Sequence, residues 1–412
     1  MKILLVGSGG REHALALGLK ASKVELHAAP GNPGMSEIAT CHHVAVTDND
    51  GMVALAEKLS AELVVIGPEV PLVNGLADAI RAINIPVFGP SQAAAQLEGS
   101  KDFAKKVMAE AGVPTARSFT CTNMEEIEKA LDAFGAPYVV KDDGLAAGKG
   151  VVVTDSKEEA LAHALSCARV VIEEFLDGPE VSLFGISDGK TILPMQPAQD
   201  FKRARDNDEG PNTGGMGAYS PLHWAPKDLV EETHKKVLEP MIKAMAKRGT
   251  PFVGLLYAGL ALTKNGIRVI EFNARFGDPE TQVLIPRLKT PLAELLYKAA
   301  TGNLAGTQLT WSDDSAVTVV LAAEGYPSSP RSGDEIKNIP HSNGVIVYHA
   351  GTKIENRKLL SSGGRVATIT ALGKDLSAAR EKAYGAISQI ELTGAFYRKD
   401  IALKASLSEK GN

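Results

Sequence analysis

Short apolar runs alternate with amphipathic stretches through the first hundred residues, and this alternation constrains the fold more than any other feature of the chain. Ile3–Val6, Val24–Ala28, Leu63–Ile66 and Val87–Phe88 read as strands, and Arg11–Lys20, Met52–Leu59 and Leu72–Ala82 as helices. Strands that alternate with helices bury a parallel sheet between helical layers, which predicts a doubly wound α/β unit. Gly67-Pro68-Glu69 and Gly89-Pro90-Ser91 end two of the strands with turn chemistry. Ligands of such folds collect beyond the carboxyl ends of the strands.

A chain of 412 residues is too long for one core, so further domains follow. Ser100–Ala111 reads as a helix capped by Ser100 and stopped by Gly112-Val113-Pro114. A small unit of helices and strands spans about Arg117 to Ser187, and a larger α+β part runs from Thr191 to about Asn303. From Ala316 the chain is β-rich, with strands at Val317–Ala323, Gly344–Ala350, Val366–Ala371 and Phe396–Ile401 and a helix at Ser377–Ile390. The expected division is residues 1–100, residues 101–315 with a small lid lobe at about 117–187, and residues 316–412.

A net charge of -5 argues against a general nucleic-acid or membrane-surface binder, so any anion must be gripped locally. The cysteines Cys41, Cys121 and Cys167 are too scattered for a disulfide framework or a zinc ribbon and read as small core hydrophobes. No stretch approaches the roughly 18 apolar residues of a spanning helix. The opening Met1-Lys2, followed by only a short apolar run, is not a signal peptide, so a cytoplasmic location is expected.

The segment from Val269 to Glu280 carries the densest chemistry. Ile267–Phe272 reads as a strand, and Glu271 and Asn273, two apart, point to one face. A carboxylate beside a carboxamide suits a hard divalent ion that keeps waters and bridges phosphates. Arg275 follows as a fork for a carboxylate or phosphate. Asp278 and Pro279 read as the N-cap and first residue of a helix.

Three glycine-rich loops add to this. Gly7-Ser8-Gly9-Gly10-Arg11-Glu12 follows the first strand, but Glu12 stands where a dinucleotide fingerprint wants glycine. The second strand ends Ala28-Ala29-Pro30-Gly31-Asn32 without the acid that would bind ribose. The loop is a phosphate seat or a plain tight turn. Gly144-Leu145-Ala146-Ala147-Gly148-Lys149-Gly150 is not a P-loop, because three residues separate the glycines and Gly150 replaces the magnesium-binding hydroxyl. It reads as a hairpin lid with Lys141 at its base and Lys149 at its tip, or as an exposed turn. Pro211-Asn212-Thr213-Gly214-Gly215 presents backbone amides suited to an anion. In Val170–Glu180, backbone near Glu174 and Leu176 suits an adenine edge and Glu180 suits ribose hydroxyls; the bland alternative is an exposed acidic strand end.

In this order, the segments resemble the ATP-grasp ligases, and within them the branch that activates glycine in purine biosynthesis. The resemblance is carried by residues 7–14, 29–32 and 67–69, by Leu97-Glu98-Gly99-Ser100-Lys101, and by residues 143–150, 210–221 and 273–282. His349-Ala350-Gly351-Thr352 and Phe396-Tyr397-Arg398-Lys399-Asp400 complete it, so it covers essentially the whole chain. It implies an N-terminal substrate domain, a two-lobed ATP-grasp centre and a β-rich C-terminal domain. It also implies ATP and Mg2+ (or Mn2+) as cofactors and glycine and 5-phosphoribosylamine as small-molecule substrates. The expected assembly is a monomer or weak oligomer. Glycine would be activated as glycyl phosphate before the amine displaces phosphate.

Carried over residue by residue, Glu271 and Asn273 look like the metal ligands. Lys141, together with Lys101 or Lys105, looks like the phosphate grip, joined by Gly148 and Lys149 of the lid. Glu173, Glu174, Phe175 and Leu176 resemble the adenine hinge, with Glu180 on ribose. Arg203 and Asn212 look like nucleotide or transition-state contacts. Arg275 holds either the glycine carboxylate or the transferring phosphoryl group. Gly9, Gly10, Glu69, Asp200, Thr213, Gly214 and Asp278 look like substrate contacts. Two positions depart from the family pattern: Asp142 where alanine usually follows the lysine, and Phe201 where histidine is common. The remaining alternatives are another ATP-grasp ligase or carboxylase, or a nucleotide-binding module without catalysis.

Overall fold

The computed structural model describes residues 1–145 and 150–410. Its N-terminal part is a five-stranded sheet in the order Thr40–Cys41, Glu25–Pro30, Lys2–Gly7, Leu63–Ile66, Val87–Phe88. Every pairing in it is parallel. The central strands are continuously apolar because helices cover both faces. The strand order reverses between Lys2–Gly7 and Leu63–Ile66, which opens a crevice at Gly7 and Gly67. The single helix expected over Leu72–Ala82 is two helices, Glu69–Val73 and Leu76–Ala82, because Gly75 turns left-handed at φ 81°.

The small lobe is an antiparallel sheet in the order Ser118–Cys121, Val170–Glu173, Tyr138–Asp142, Val151–Thr154. Helices Met124–Phe134 and Lys157–Ser166 cover it. Ile127, Leu131, Val140, Ala160 and Ile172 give it a core of its own. The sheet ends at Glu173 rather than continuing into the segment up to residue 187. Glu180–Asp188 pairs along its whole length with Val253–Thr263. The reason is burial: all but the first residue of Glu180–Asp188 are inaccessible, so the strand needs a sheet centre with cover on both sides. The order of this larger sheet is Ile192–Pro194, Glu180–Asp188, Val253–Thr263, Gly266–Asn273.

A third sheet runs Gln199–Asp200, Gly217–Ser220, Ser315–Ala322, Arg365–Gly373, Val345–His349, joining strands from both sides of residue 315. Helix Leu376–Ile387 packs on it. Phe396–Ile401 is not a strand, and only Phe396 bridges to Ala322. Among the described residues no helix is long and apolar enough to cross a membrane.

Candidate active site

Glu271 and Asn273 lie on the edge strand Gly266–Asn273, and a β-bulge decides which way they face. Gly259 pairs with Glu271 and Leu260 with Val269, so Ile270 is the extra residue. Ile267, Val269 and Phe272 are all buried in one core, a parity that strict alternation forbids. The extra residue shifts Glu271 and Asn273 to the opposite, half-buried face. It also exposes the Ile270 carbonyl, which accepts a hydrogen bond from Lys141 Nζ at 3.0 Å.

Lys141 is buried and pairs with Glu173 Oε2 at 2.9 Å. Lys105 reaches the other oxygen of the same carboxylate at 3.1 Å and also binds Thr115 Oγ1 and the Ala116 carbonyl. Lys101, one turn earlier on helix Lys101–Ala111, leaves this pair and donates to the carbonyls of Asp142 (2.7 Å) and Gly144 (3.0 Å) at the lid base. Ser100 caps the helix by accepting from Phe103 N. Burial lowers the pKa of Lys105, with Glu173 opposing the shift. Burial likewise lowers that of Lys101, with Glu271 opposing it. The Glu173 side chain is therefore the counter-ion of two lysines.

In the hinge, the Glu174 amide is already donated to the Arg117 carbonyl at 3.0 Å, and its carboxylate grips Arg117 Nε at 2.7 Å. Among the described residues the amide of Leu176 has no hydrogen-bond partner, and Phe175 is exposed. Glu180 binds Lys202 Nζ at 2.7 Å. The lid residues Gly148 and Lys149 lie outside the described residues. Arg203 and Asn212 are cross-strand partners in a hairpin, and Arg203 Nη1 donates to the Gly210 carbonyl. Phe201, the departure from the family's histidine, lies beneath Arg398, whose guanidinium carbon is 4.9 Å from the ring centre. Asp142 contributes its carbonyl to Lys101.

Lys202 was not singled out by the sequence. It faces Glu180, Asp200 and Glu271, and these outweigh its burial and raise its pKa. Burial pushes the Asp200 carboxyl up to about 7 against the pull of Lys202. Glu280 was also missed; it accepts from Ser182 Oγ, which itself bonds Tyr257. Lys202 lies between Phe201 and Arg203 and Glu280 ends the segment from Val269, but nothing in their spacing marks them out.

Arg275 is held on three sides. Its Nη2 lies 3.0 Å from Glu98 Oε1 and 3.3 Å from Asn273 Oδ1, and its Nη1 donates to the Phe276 carbonyl. Its Nε sits 3.4 Å from Glu69 Oε2 and has no hydrogen-bond partner. Burial opposes the charge on Glu69, but Arg275 and Arg11 outweigh it and hold that carboxyl below its usual range. Asp278 is not an N-cap, because its carboxylate is taken by Arg365 (2.9 Å) and Gln282 (2.6 Å). The helix begins instead at Thr281, with Glu280 at the cap position.

The glycine turn at Gly9-Gly10 abuts this segment: a Cβ on Gly10 would come within 2.9 Å of Gln282 Nε2, and one on Gly9 within 3.8 Å of Asp278 Oδ2. Glu12 folds back so that its carboxylate accepts from Gly9 N at 2.7 Å, and it fills the space in front of Gly7 and Gly67. The seat on the helix N-terminus is thus occupied by the protein's own anion, which excludes a dinucleotide pyrophosphate and leaves the Gly9 amide committed. Asn212, Thr213 and Gly214 line a groove of about 340 Å³ with Tyr326, Gly364 and Arg365.

Among the described residues no three His, Cys, Asp or Glu side chains gather to enclose a metal. Two hard oxygen donors on an open face fit an ion whose other ligands are phosphate oxygens and water.

Three family models match the chain: phosphoribosylglycinamide synthetase N domain (residues 1–98), ATP-grasp (A) domain (residues 99–281) and C domain (residues 316–404). A phosphoribosylamine–glycine ligase of Streptomyces coelicolor is 61% identical, over 98% of this chain and 100% of its own. The crystal structure of phosphoribosylamine–glycine ligase from Thermotoga maritima superposes with a TM-score of 0.86 at 33% identity, covering 98% of this chain and all of the other. A biotin carboxylase from Campylobacter jejuni shares the fold, with a TM-score of 0.74 at 18% identity, covering 100% and 95% of the two chains. With matches across all three of its parts, the chain belongs to the phosphoribosylglycinamide synthetase family, whose central domain is an ATP-grasp.

Proposed function

We propose that the chain joins glycine to 5-phosphoribosylamine at the expense of ATP, giving glycinamide ribonucleotide, ADP and phosphate. A glycine carboxylate oxygen attacks the γ-phosphorus, and the bond to the β,γ-bridging oxygen breaks. The amine nitrogen then attacks the acyl carbon of glycyl phosphate, the acyl C–O bond breaks and phosphate leaves, and the nitrogen gives up a proton. No enzyme nucleophile is required, so the work is positioning and charge neutralisation.

One observation carries the reading: in a chain of this family, Arg275 stands beside the Glu271–Asn273 pair, and the same strand's Ile270 carbonyl holds Lys141, which shares the Glu173 carboxylate with Lys105. Glu271 and Asn273 would hold magnesium, or manganese in its place, which supplies positive charge to the phosphate oxygens. Lys105 and Lys141 grip the phosphates, and Lys101 ties the lid base. The Leu176 amide and Glu174 carbonyl take the adenine edge, and Glu180 the ribose. Arg203 and Asn212 act on the nucleotide from the facing hairpin. Arg275 receives the glycine carboxylate. Glu69, Asp278, Asp200, Thr213, Gly214 and the Gly9-Gly10 turn bound the space for phosphoribosylamine.

The test is phosphate release by the purified protein. Release should require glycine, phosphoribosylamine, ATP and magnesium together. Release with bicarbonate in place of glycine would move the chain to the carboxylases, and ATP binding without turnover would leave it a nucleotide-binding module.

A further inference from the structure

Glu98 ends the N-terminal part of the chain, on helix Gln92–Gly99, and no step above uses it. Its side chain is 7% exposed. Its two oxygens divide between two groups of one short segment: Oε2 accepts from Ala274 N at 2.7 Å, and Oε1 lies 3.0 Å from Arg275 Nη2. Ala274 is the residue between Asn273 and Arg275, so one carboxylate fixes both the backbone after the metal-facing pair and the fork beyond it. Arg275 in turn donates to Asn273 Oδ1 at 3.3 Å.

We infer that Glu98 is a positioning residue, which sets the Arg275 guanidinium and the Asn273 carboxamide in the geometry that glycine activation needs. The inference rests on the role given to Arg275 above. A guanidinium has five N–H donors in a fixed fork. Here Nη1 is tied to Phe276 and Nη2 to Asn273 and Glu98, while Nε, buried and without a hydrogen bond, sits 3.4 Å from Glu69 Oε2. Glu98 and the Phe276 carbonyl thus anchor the two terminal nitrogens and fix the plane and direction of the fork. Burial favours the neutral form of Glu98 and Arg275 opposes it, so the two groups depend on one another. Helix Gln92–Gly99 also leads directly into helix Lys101–Ala111, which carries Lys101 and Lys105. The same carboxylate therefore joins the phosphate-gripping helix to the loop after the metal-facing strand.

A mutant cycle tests this. Glu98→Gln keeps an acceptor for Ala274 N but removes the charge facing Arg275. It should lower kcat/KM for glycine about ten- to a hundredfold, the range seen when an outer partner of a metal ligand is lost. Affinity for a non-hydrolysable ATP analogue, measured without magnesium, should stay within about twofold. In an Arg275→Lys background the same change should add less than about threefold, because the group it positions is gone. A full penalty in that background, or a parallel loss of ATP affinity, would overturn the inference in favour of a purely structural role. If Glu98→Gln does not fold, Glu98→Asp retains the charge one methylene further back and should show a smaller loss in the same parameter; no loss there overturns it too. Failure of the underlying reading looks different: Arg275→Lys alone would leave glycine kinetics unchanged, which removes Arg275's role and the inference with it. A costly Arg275→Lys beside a silent Glu98→Gln removes the inference alone.

Discussion

Arg365 Nη2 lies 2.9 Å from Asp278 Oδ2, while Arg365 Nη1 donates to the Asp278 carbonyl at 2.7 Å. The same guanidinium donates to the Gly214 carbonyl. One side chain of the C-terminal sheet thus ties together the loop after the metal-facing strand and the glycine turn opposite it. Burial opposes the charge on Asp278, but Arg365 and Arg11 outweigh it and hold the carboxyl below its ordinary range. Arg365→Met removes the tie and leaves Asp278 with a weaker set of partners. The expected result is a fall of about tenfold or more in kcat/KM for phosphoribosylamine. Affinity for an ATP analogue should be unchanged, because Arg365 touches neither the lysines nor the hinge. Steady-state kinetics at fixed ATP and varied amine make the check, and an equal loss in both parameters would place the effect in folding.

Glu271→Gln keeps the shape of the side chain and removes its charge. A neutral amide is a poorer partner for a hard divalent ion, so turnover should fall by at least about a hundredfold, more than loss of an outer partner costs. Glu271 is only half-buried, so the thermal unfolding midpoint of the free protein should hardly move. Titrating magnesium against phosphate release is decisive: an unchanged magnesium dependence would remove Glu271 from the metal site.

The features legible in the sequence were those that local chemistry writes. Ser100 caps its helix as its hydroxyl and position predict, and Gly112 ends it left-handed at φ 66°. The parallel sheet followed from alternation alone. What was not legible depended on partners far along the chain. The bulge at Ile270 is set by pairing with Val253–Thr263, and it decides that Glu271 faces out although Val269, two residues earlier, faces in. Asp278 reads locally as an N-cap, but Arg365 claims its carboxylate from 87 residues away. Glu173 reads as part of a hinge, yet it serves Lys105 and Lys141, which are brought together only by the small lobe docking on helix Lys101–Ala111. Lys202 carries no local mark at all, and its role comes from Glu180, Asp200 and Glu271 converging on it.

The shared carboxylate of Glu173 makes a prediction that runs in opposite directions for the free and loaded protein. Glu173→Gln leaves the buried Lys141 and the half-buried Lys105 beside one another without their common counter-ion. Breaking a buried pair by removing one partner costs about 3–5 kcal/mol, so the free protein should melt several degrees lower. ATP phosphates would replace the missing charge, so the upward shift in melting temperature on adding MgATP should be larger in the variant than in the native chain. Thermal unfolding with and without MgATP reads both effects. A variant that is destabilised but shows a smaller nucleotide shift would mean that the two lysines do not face the phosphates.

His13 gives the clearest pH prediction. It lies on helix Gly10–Lys20, nearly inaccessible, with Tyr348 edge-on at 5.7 Å and the His349 ring at 5.8 Å. Its Nδ1 accepts from the His349 backbone amide at 2.9 Å, which a protonated ring cannot do. Burial, aided by His349, pushes the His13 pKa down to about 3. The folded state therefore favours the neutral ring. Its contribution is fully present above the unfolded pKa of roughly 6.5, and it is lost as pH falls from there toward 3. Between pH 7 and pH 4.5 the linkage amounts to about 2.5 kcal/mol. Burial lowers the His349 pKa as well, and that part of the acid sensitivity remains when His13 is changed. His13→Asn offers an oxygen to the same amide without a titrating ring. Its unfolding free energy, measured by urea at the two pH values, should fall by about 2.5 kcal/mol less than that of the native chain. Equal falls in the two proteins would mean that the ring can take up a proton without leaving its place between the first helix and Tyr348.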